Sequence, residues 1–392
     1  MNTTKHIDAN RRVSFRLKTS ALAMLALGAL GAASGSAVAD SSNVQVFGIV
    51  DVGVLMQSKT AGGNGSTTSV ATSGLRQSVW GFKGTENIGN GNNVFFNLES
   101  HIDIDNGQLH GSGDAAGSST PLFRRQANLG MSGDWGSVTV GRQYGPALLA
   151  HIGTEPRAFK EQFSNLYAWA YNQYAATATG AAGATNRNTN NDVGIFFSNS
   201  VQYRNTLGPV SFGVLYSLGE VAGDTAKNSA WAVGAAYNGP VTVSASYQQM
   251  KDQTSGITTV KHSGLGLAVP FTDGAVKLNY LNAKNYDGTT GNEVSNVDGI
   301  GIGVDYKWSP ANTFTVAYYN NKDDVNKSDE THNWVFSNDY ALSKRTTFYA
   351  QMALVDAKAG ASLKTSIVAG GPFVYPAGEK TTLINIGLNH NF

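Results

Sequence analysis

Cysteine is absent from the 392 residues, and only nine are proline. An exported chain built this way has no disulfides to rely on, so backbone pairing and packing must hold it together. Charge is scarce as well. Asp, Glu, Lys and Arg make up 14% of the chain, against about 25% in ordinary soluble proteins. Beyond residue 39 no run of eighteen apolar residues occurs, which excludes a spanning helix. Helical periodicity is rare throughout. The signatures GxSxG, HExxH and the Walker loop are missing, and a chain without thiols offers neither a cysteine nucleophile nor a cysteine-ligated metal.

The first 39 residues stand apart. Arg11, Arg12, Arg16 and Lys18 form a basic region, "ALAMLALGALGAA" (21–33) is apolar but short, and Ala37 and Ala39 offer a small-residue cleavage site before Asp40. This is the secretory signal pattern. Residues 1–39 are therefore read as a cleaved signal peptide and 40–392 as the mature domain. Cleavage removes Lys5, Arg11, Arg12, Arg16, Lys18 and one acid, Asp8, turning a net charge of +1 into −3. That balance argues against nucleic acid as a partner.

What is present is alternation. In "PVSFGVLYSL" Val210, Phe212, Val214, Tyr216 and Leu218 face one way, and Ser211, Gly213 and Ser217 the other. In "IGIGVDYKW" Ile300, Ile302, Val304, Tyr306 and Trp308 oppose Gly301, Gly303, Asp305 and Lys307. The chain ends the same way: Ile384, Ile386, Leu388 and Phe392 oppose Asn385, Asn389 and Asn391. Period two means strands, and either a soluble sandwich or a membrane barrel would use them.

Four features favour the barrel. Sixteen strands are predicted, near 43–56, 74–86, 93–104, 123–132, 135–143, 197–205, 209–219, 229–238, 240–250, 260–269, 274–285, 297–308, 312–321, 331–341, 345–356 and 379–392, an even number. Short links such as 238–240 and 272–274 alternate with longer polar ones such as 57–73, 105–122, 144–196 and 357–378, the pattern of short turns on one rim and long loops on the other. The polar faces carry Gly, Ser, Asn and Asp but few Lys or Glu, unlike a solvated sandwich face. Ten residues at ~3.3 Å rise, tilted ~40°, span about 25 Å, the height of a barrel's apolar band, and Tyr and Trp near strand ends suit its aromatic girdle. Lipid supplies no hydrogen-bond partner to an open edge. The first strand must then close on the last, and Phe392 becomes part of a seam that anchors at the periplasmic interface.

Several blocks carry a family likeness: "VQVFGIVDVGV" (44–54), "WGFKGTENIGNGNNVFFNLES" (80–100), "RRQANLGMSGDWGSVTVGRQYG" (124–145), "NSVQY" (199–203) and the terminal "GLNHNF". In this order they resemble the general, non-specific porins of Gram-negative outer membranes, most closely the beta-proteobacterial type. The resemblance implies a 16-stranded antiparallel transmembrane β-barrel whose long third loop folds into the pore. It implies a homotrimer in the outer membrane, in contact with lipid and lipopolysaccharide and inserted by the barrel assembly machinery, which reads a C-terminal phenylalanine such as Phe392. It also implies that loop acids face wall arginines across a constriction. Glu155 and Glu161, on the longest connection (144–196), are the candidate loop acids, beside an aromatic cluster at Tyr167, Trp169, Tyr171 and Tyr174. Arg125 matches one wall arginine, and Lys83 shares a face with Val79. At two other positions the chain departs from the pattern, with Val79 and Phe196 where arginines usually stand, which weakens the case for a strong anion preference. Arg142 is assigned to a subunit interface or a loop latch rather than to the pore.

The function expected is passive diffusion of ions and small hydrophilic solutes through a water-filled pore with a charged constriction, without catalytic residues, cofactor or metal. A channel with a preferred solute such as a sugar, and an outer-membrane hydrolase, are the alternatives. "HIDIDNG" (101–107) is the one cluster that suggests more: His101, Asp103 and Asp105 alternate on one strand face and could meet a divalent cation.

Overall fold

The computed structural model describes residues 40–60, 65–110, 121–170, 188–190, 195–367 and 376–392. The proposed signal peptide, and Tyr171 and Tyr174 of the aromatic cluster, lie outside the described residues. Strands follow one another along the chain: β1 (Asp40–Gln57), β2 (Thr67–Thr72), β3 (Val79–Gly89), β4 (Asn92–His101), β5 (Gln126–Gly133), β6 (Gly136–Tyr144), β7 (Phe196–Leu207), β8 (Val210–Ser217) and β9 (Ala230–Asn238). The second half continues with β10 (Thr242–Lys251), β11 (Thr258–Phe271), β12 (Gly274–Tyr286), β13 (Glu293–Ser309), β14 (Asn312–Asp323), β15 (Glu330–Ala341), β16 (Thr346–Ala357) and β17 (Lys380–Asn391). Two short helices, α1 (Pro146–His151) and α2 (Asn165–Ala170), lie between β6 and β7.

From β3 onward each strand pairs antiparallel with the next, as in β3 with β4 and β16 with β17. The ring closes where Ile49–Gln57 of β1 run against Asn391–Leu383 of β17. The other edge of β1 is shared: Asn43–Ile49 pair with Thr85–Val79 of β3, and Val52–Gln57 pair with Thr72–Thr67 of β2. Strands β2 and β3 thus occupy one place in the wall, and the barrel has sixteen positions. Closure leaves no unpaired edge to face hydrocarbon.

The second wall position is where the structure corrects the expected strand at 74–86. Residues 73–78 leave the wall instead. Ser73 turns at φ +64, and the carboxylate of Asp51 on β1 accepts the N–H groups of Gly74, Leu75 and Arg76 at 2.8, 3.0 and 2.9 Å. Tyr349 Oη and Asn389 Nδ2 donate to the same carboxylate at 2.8 and 2.9 Å. One buried acid therefore replaces the ladder bonds that the departing segment gives up. Period-two alternation carries no trace of such a cradle.

Faces fall as alternation requires. On β13 Ile300, Ile302, Val304, Tyr306 and Trp308 are exposed on the outer side, while Gly301 and Gly303 are buried within. Contiguous apolar exposure on this scale is a lipid-facing surface rather than a soluble one. At the seam the ring of Phe392 lies over Gly48, where a Cβ would come within 2.2 Å of it, and the two backbones exchange bonds of 3.0 and 3.2 Å. The terminal residue is thus a paired member of the wall, on the rim of the short turns. Ile302→Arg should cost about 2–4 kcal/mol, the figure for an arginine at the lipid midplane, in reversible unfolding from lipid vesicles. Ile302→Leu should stay below about 1.5 kcal/mol; equal tolerance of both changes would refute the lipid-facing assignment.

Candidate functional site

The chain between β6 and β7 does not stay outside the barrel. Residues 145–170 pack against wall residues of the inward parity. His151 of α1 bonds Ser244 and Ser246 on β10 at 2.8 and 2.7 Å. Asn165 and Asn279 of β12 exchange amide bonds at 3.2 and 3.1 Å. Trp169 Nε1 donates to Asn282 O at 3.0 Å. Lys160 pairs with Asp339 at 2.9 Å and donates to Ser337 at 3.0 Å. The loop then crosses to the far wall, where the N–H groups of Glu161 and Gln162 reach the carbonyls of Leu75 and Gly74 at 3.0 and 3.2 Å. Burial pushes the His151 imidazole down to about 4, so it stays neutral where it packs.

Glycine in alternate strand positions makes room for this loop. A Cβ on Gly234 would lie 2.0 Å from Pro146 O, and one on Gly303 would lie 2.9 Å from Pro156 Cβ. Gly303 of "GIGIG" is therefore part of a seat for the loop. Among the described residues the loop packs mainly against the inner faces of β8 to β17, away from most of the inner face of β3 to β6. A cavity of about 570 Å³ remains there, lined by Gln45, Lys83, Asn97, Asn128, Gln143, Gln202 and Arg204 among others. A second of about 400 Å³ shares Ser137, Leu149 and Arg204 with it.

The residues singled out in the sequence are separated by this arrangement. Glu155 is fully buried. Its carboxylate accepts the N–H groups of Arg157 and Phe159, both at 2.7 Å, Ser164 Oγ at 3.0 Å and Tyr319 Oη at 2.5 Å. Every lone-pair direction is taken within the loop and its seat. Arg157, also buried, donates to Gln162 O and to Gln351 on β16. Glu161 is almost as enclosed, at 9% exposed. Burial pushes its carboxyl up to about 8, opposed by hydrogen bonds from Tyr167 and Gln77 and by the charge of Arg125.

By position Arg125 has the parity of Ala127 and Leu129, the outward face, but β5 begins only after it, at Gln126. It turns inward, pairs with Glu99 and bonds Tyr144 Oη. Phe196, which stands where an arginine was expected, offers its ring to Arg125 at 5.1 Å and to Arg142 at 5.6 Å. Arg142 donates to Arg124 O at 2.5 Å and to Ser198 Oγ at 2.7 Å, which makes it a latch on the segment before β5. Val79 is buried. Lys83 is exposed on the cavity, with its ammonium 5.1 Å from the Phe47 ring. Two exposed cations were not picked out from the sequence. Arg204 shares that cavity, and its signal was available in the alternation of β7, beside Gln202. Arg76 stands on the inward-leaning segment, and its charge is felt at Tyr144. It had no readable signal, because the segment's departure from the wall depends on Asp51.

A closed barrel with a lipid-facing outside, a polar inside and a loop that narrows the lumen is a diffusion channel of the outer-membrane kind. A family model described as Gram-negative porin matches residues 21–360, and the chain belongs to that family. Outer membrane porin protein 32 of Delftia acidovorans is 28% identical over 394 residues, covering 96% of this chain and 100% of the relative. An anion-selective porin from Comamonas acidovorans superposes with a TM-score of 0.74 at 24% identity, over 90% of this chain and 100% of that one. An OmpT of Vibrio cholerae in trimer form superposes with a TM-score of 0.57 at 13% identity, over 90% and 100%. The protein is an outer-membrane porin through which solutes pass by diffusion.

Proposed function

We propose that this porin passes small hydrophilic solutes with a preference for anions. One observation carries the preference: Lys83 and Arg204 line the open cavity, Arg76 is exposed on the segment that leaves the wall beside it, and none of the three forms an ion pair among the described residues. The acids nearby are engaged. Glu99 is held by Arg125, Asp305 by Lys277 at 2.5 Å and Asp339 by Lys160 at 2.9 Å. Asp51 and Glu155 are enclosed by donors. Glu161 keeps its proton at neutral pH, since its carboxyl is raised to about 8. The open lumen is net positive, which concentrates anions and depletes cations. Here Glu161 contributes the titratable edge of the constriction, and Glu155 holds the loop in place.

The test is the zero-current potential across a planar bilayer under a salt gradient. The sign should show anion preference at pH 7. Raising the pH through about 8 ionises Glu161, adds a negative charge and should weaken the preference. Glu161→Gln should remove that pH dependence. Cation preference at pH 7 would overturn the reading.

The reading includes three points of wider context. Residues 1–39 act as an export signal cleaved before Asp40. Phe392, paired at the seam, is the feature read by the barrel assembly machinery. The trimer form of the Vibrio cholerae OmpT supports a homotrimer here, set among outer-membrane lipid and lipopolysaccharide. The reading is of a channel and not an enzyme, and hydrolysis of lipid or peptide by the purified protein would contradict it.

A further inference from the structure

Beyond His101, the last residue of β4, the two arms of the next loop stay paired for one more step. His110 N donates to His101 O at 3.0 Å, Asp103 N donates to Gln108 O at 2.9 Å, and Ile102 bridges Leu109. Antiparallel pairing puts His101 and His110 opposite each other, with Asp103 two residues along on the same face. The imidazoles stack with centroids 4.0 Å apart and planes at 23°. His110 Nδ1 lies 2.8 Å from Asp103 Oδ1. One donor atom from each of the three residues falls within 4.8 Å of the others. His101 continues the inward row of β4 that holds Asn97 and Glu99, so the group faces the lumen at the rim of the long loops. Asp105, which the sequence placed with His101 and Asp103, is exposed in the turn and takes no part.

A second observation points to a ligand. His101 is 5% exposed, and its Nε2 is buried without a hydrogen-bond partner among the described residues. An orphaned ring nitrogen in a buried site is costly unless something accepts its lone pair or its proton. A metal ion is such an acceptor, and imidazole is the most frequent side chain in that role.

We propose that His101, Asp103 and His110 bind a divalent transition-metal ion of the zinc type at the outer mouth of the pore. The donor set selects the class of ion. Two imidazoles and one carboxylate suit zinc, copper or nickel, whereas calcium and magnesium need a cage of oxygen atoms that the site lacks. The surrounding charges sharpen the choice. Arg124 reaches His110 O at 2.6 Å, and Arg125 lies behind, paired with Glu99. A hard cation held by charge alone is opposed by these arginines, while a borderline-soft ion held by nitrogen bonds tolerates them. Zinc–ligand bonds of about 2.0–2.1 Å require the three side chains to draw somewhat closer, a movement open to His110, whose side chain is 39% exposed. A bound ion adds positive charge and bulk where solutes enter.

The test is zinc titration of the folded protein in detergent by isothermal calorimetry at pH 7.5. One saturable site per chain is expected. His110→Ala is the chosen variant, because among the described residues that side chain bonds only within the cluster, and it should bind zinc at least about 100-fold more weakly, beyond the ~10–100-fold that loss of an outer partner costs. Affinity should fall on acidification, because protons compete with the metal for the ring nitrogens. Calcium should not compete. In bilayers, zinc should reduce the conductance of the parent chain and leave His110→Ala unchanged. Absence of saturable zinc binding by the parent chain, unaltered binding by the variant, or equal competition by calcium would each overturn the proposal. Equilibrium binding does not depend on conduction, so this result stands apart from the selectivity reading.

Discussion

Changing Arg76, Lys83 and Arg204 together to glutamate should turn an anion-preferring channel into a cation-preferring one. Each charge is worth about 0.5 kcal/mol to a monovalent ion ~8 Å away at the dielectric of water. Three acting together amount to about 1.5 kcal/mol, or roughly tenfold in the local concentration of each ion, with opposite signs for anion and cation. The triple change reverses that field while sparing the loop, since none of the three side chains holds it. The zero-current potential under a salt gradient should change sign, and single changes should move it part of the way. The difference should shrink as ionic strength rises, because the Debye length falls from about 10 Å at 0.1 M to about 3 Å at 1 M. A potential that keeps its sign in the triple variant would place the selectivity elsewhere in the lumen.

The second large effect is expected from Glu155→Ala. Its carboxylate is the acceptor for two backbone N–H groups and two hydroxyls, all from residues buried or nearly so. Its removal also takes away a carboxylate charge that supports the buried Arg157 guanidinium; burial already draws that group below its ordinary value, and Glu155 counters it. Ala158 and Phe159 hold left-handed backbone at φ +56 and +58 within the turn that Glu155 organises. Such conformations persist only when their surroundings over-determine them. Breaking a buried charged network costs on the order of 3–5 kcal/mol, more than a loop without its own core can absorb. The loop should leave its seat, single-channel conductance should rise, and a protease added from the mouth should cut between residues 146 and 170. Heat stability of the barrel should change little, since the sheet ladder is intact. Glu155→Gln, which keeps one carbonyl acceptor, should fall between. A variant with parental conductance and no new cleavage would show that the loop holds without this acid.

The mouth cluster and the constriction illustrate one lesson from different sides. His101 and Asp103 were visible as alternating residues on one strand, but their partner His110 lies across a turn, and only the pairing of the two arms joins them. Arg125 was legible from its block, yet its inward course follows from the strand starting at Gln126. Glu155 and Glu161 looked equivalent as loop acids. The loop's path separates them, enclosing one within its own turn and setting the other against Arg125 and Tyr167.

The amino-acid order alone determined the barrel, the count of its wall positions, the two faces of each strand and the pairing of the terminal strand with the first. Those properties repeat with period two or stand at chain ends, so local pattern and the demand that lipid-exposed backbone be paired were enough. Tertiary structure alone decided the break at 73–78 held by Asp51, the course of the loop over glycine seats, which cations stay unpaired in the lumen, and the grouping of His101 with His110. Each of these depends on contacts between residues distant in the chain, where a single buried carboxylate or a strand that starts a few residues later redirects a side chain. Such contacts leave no periodic mark in the sequence.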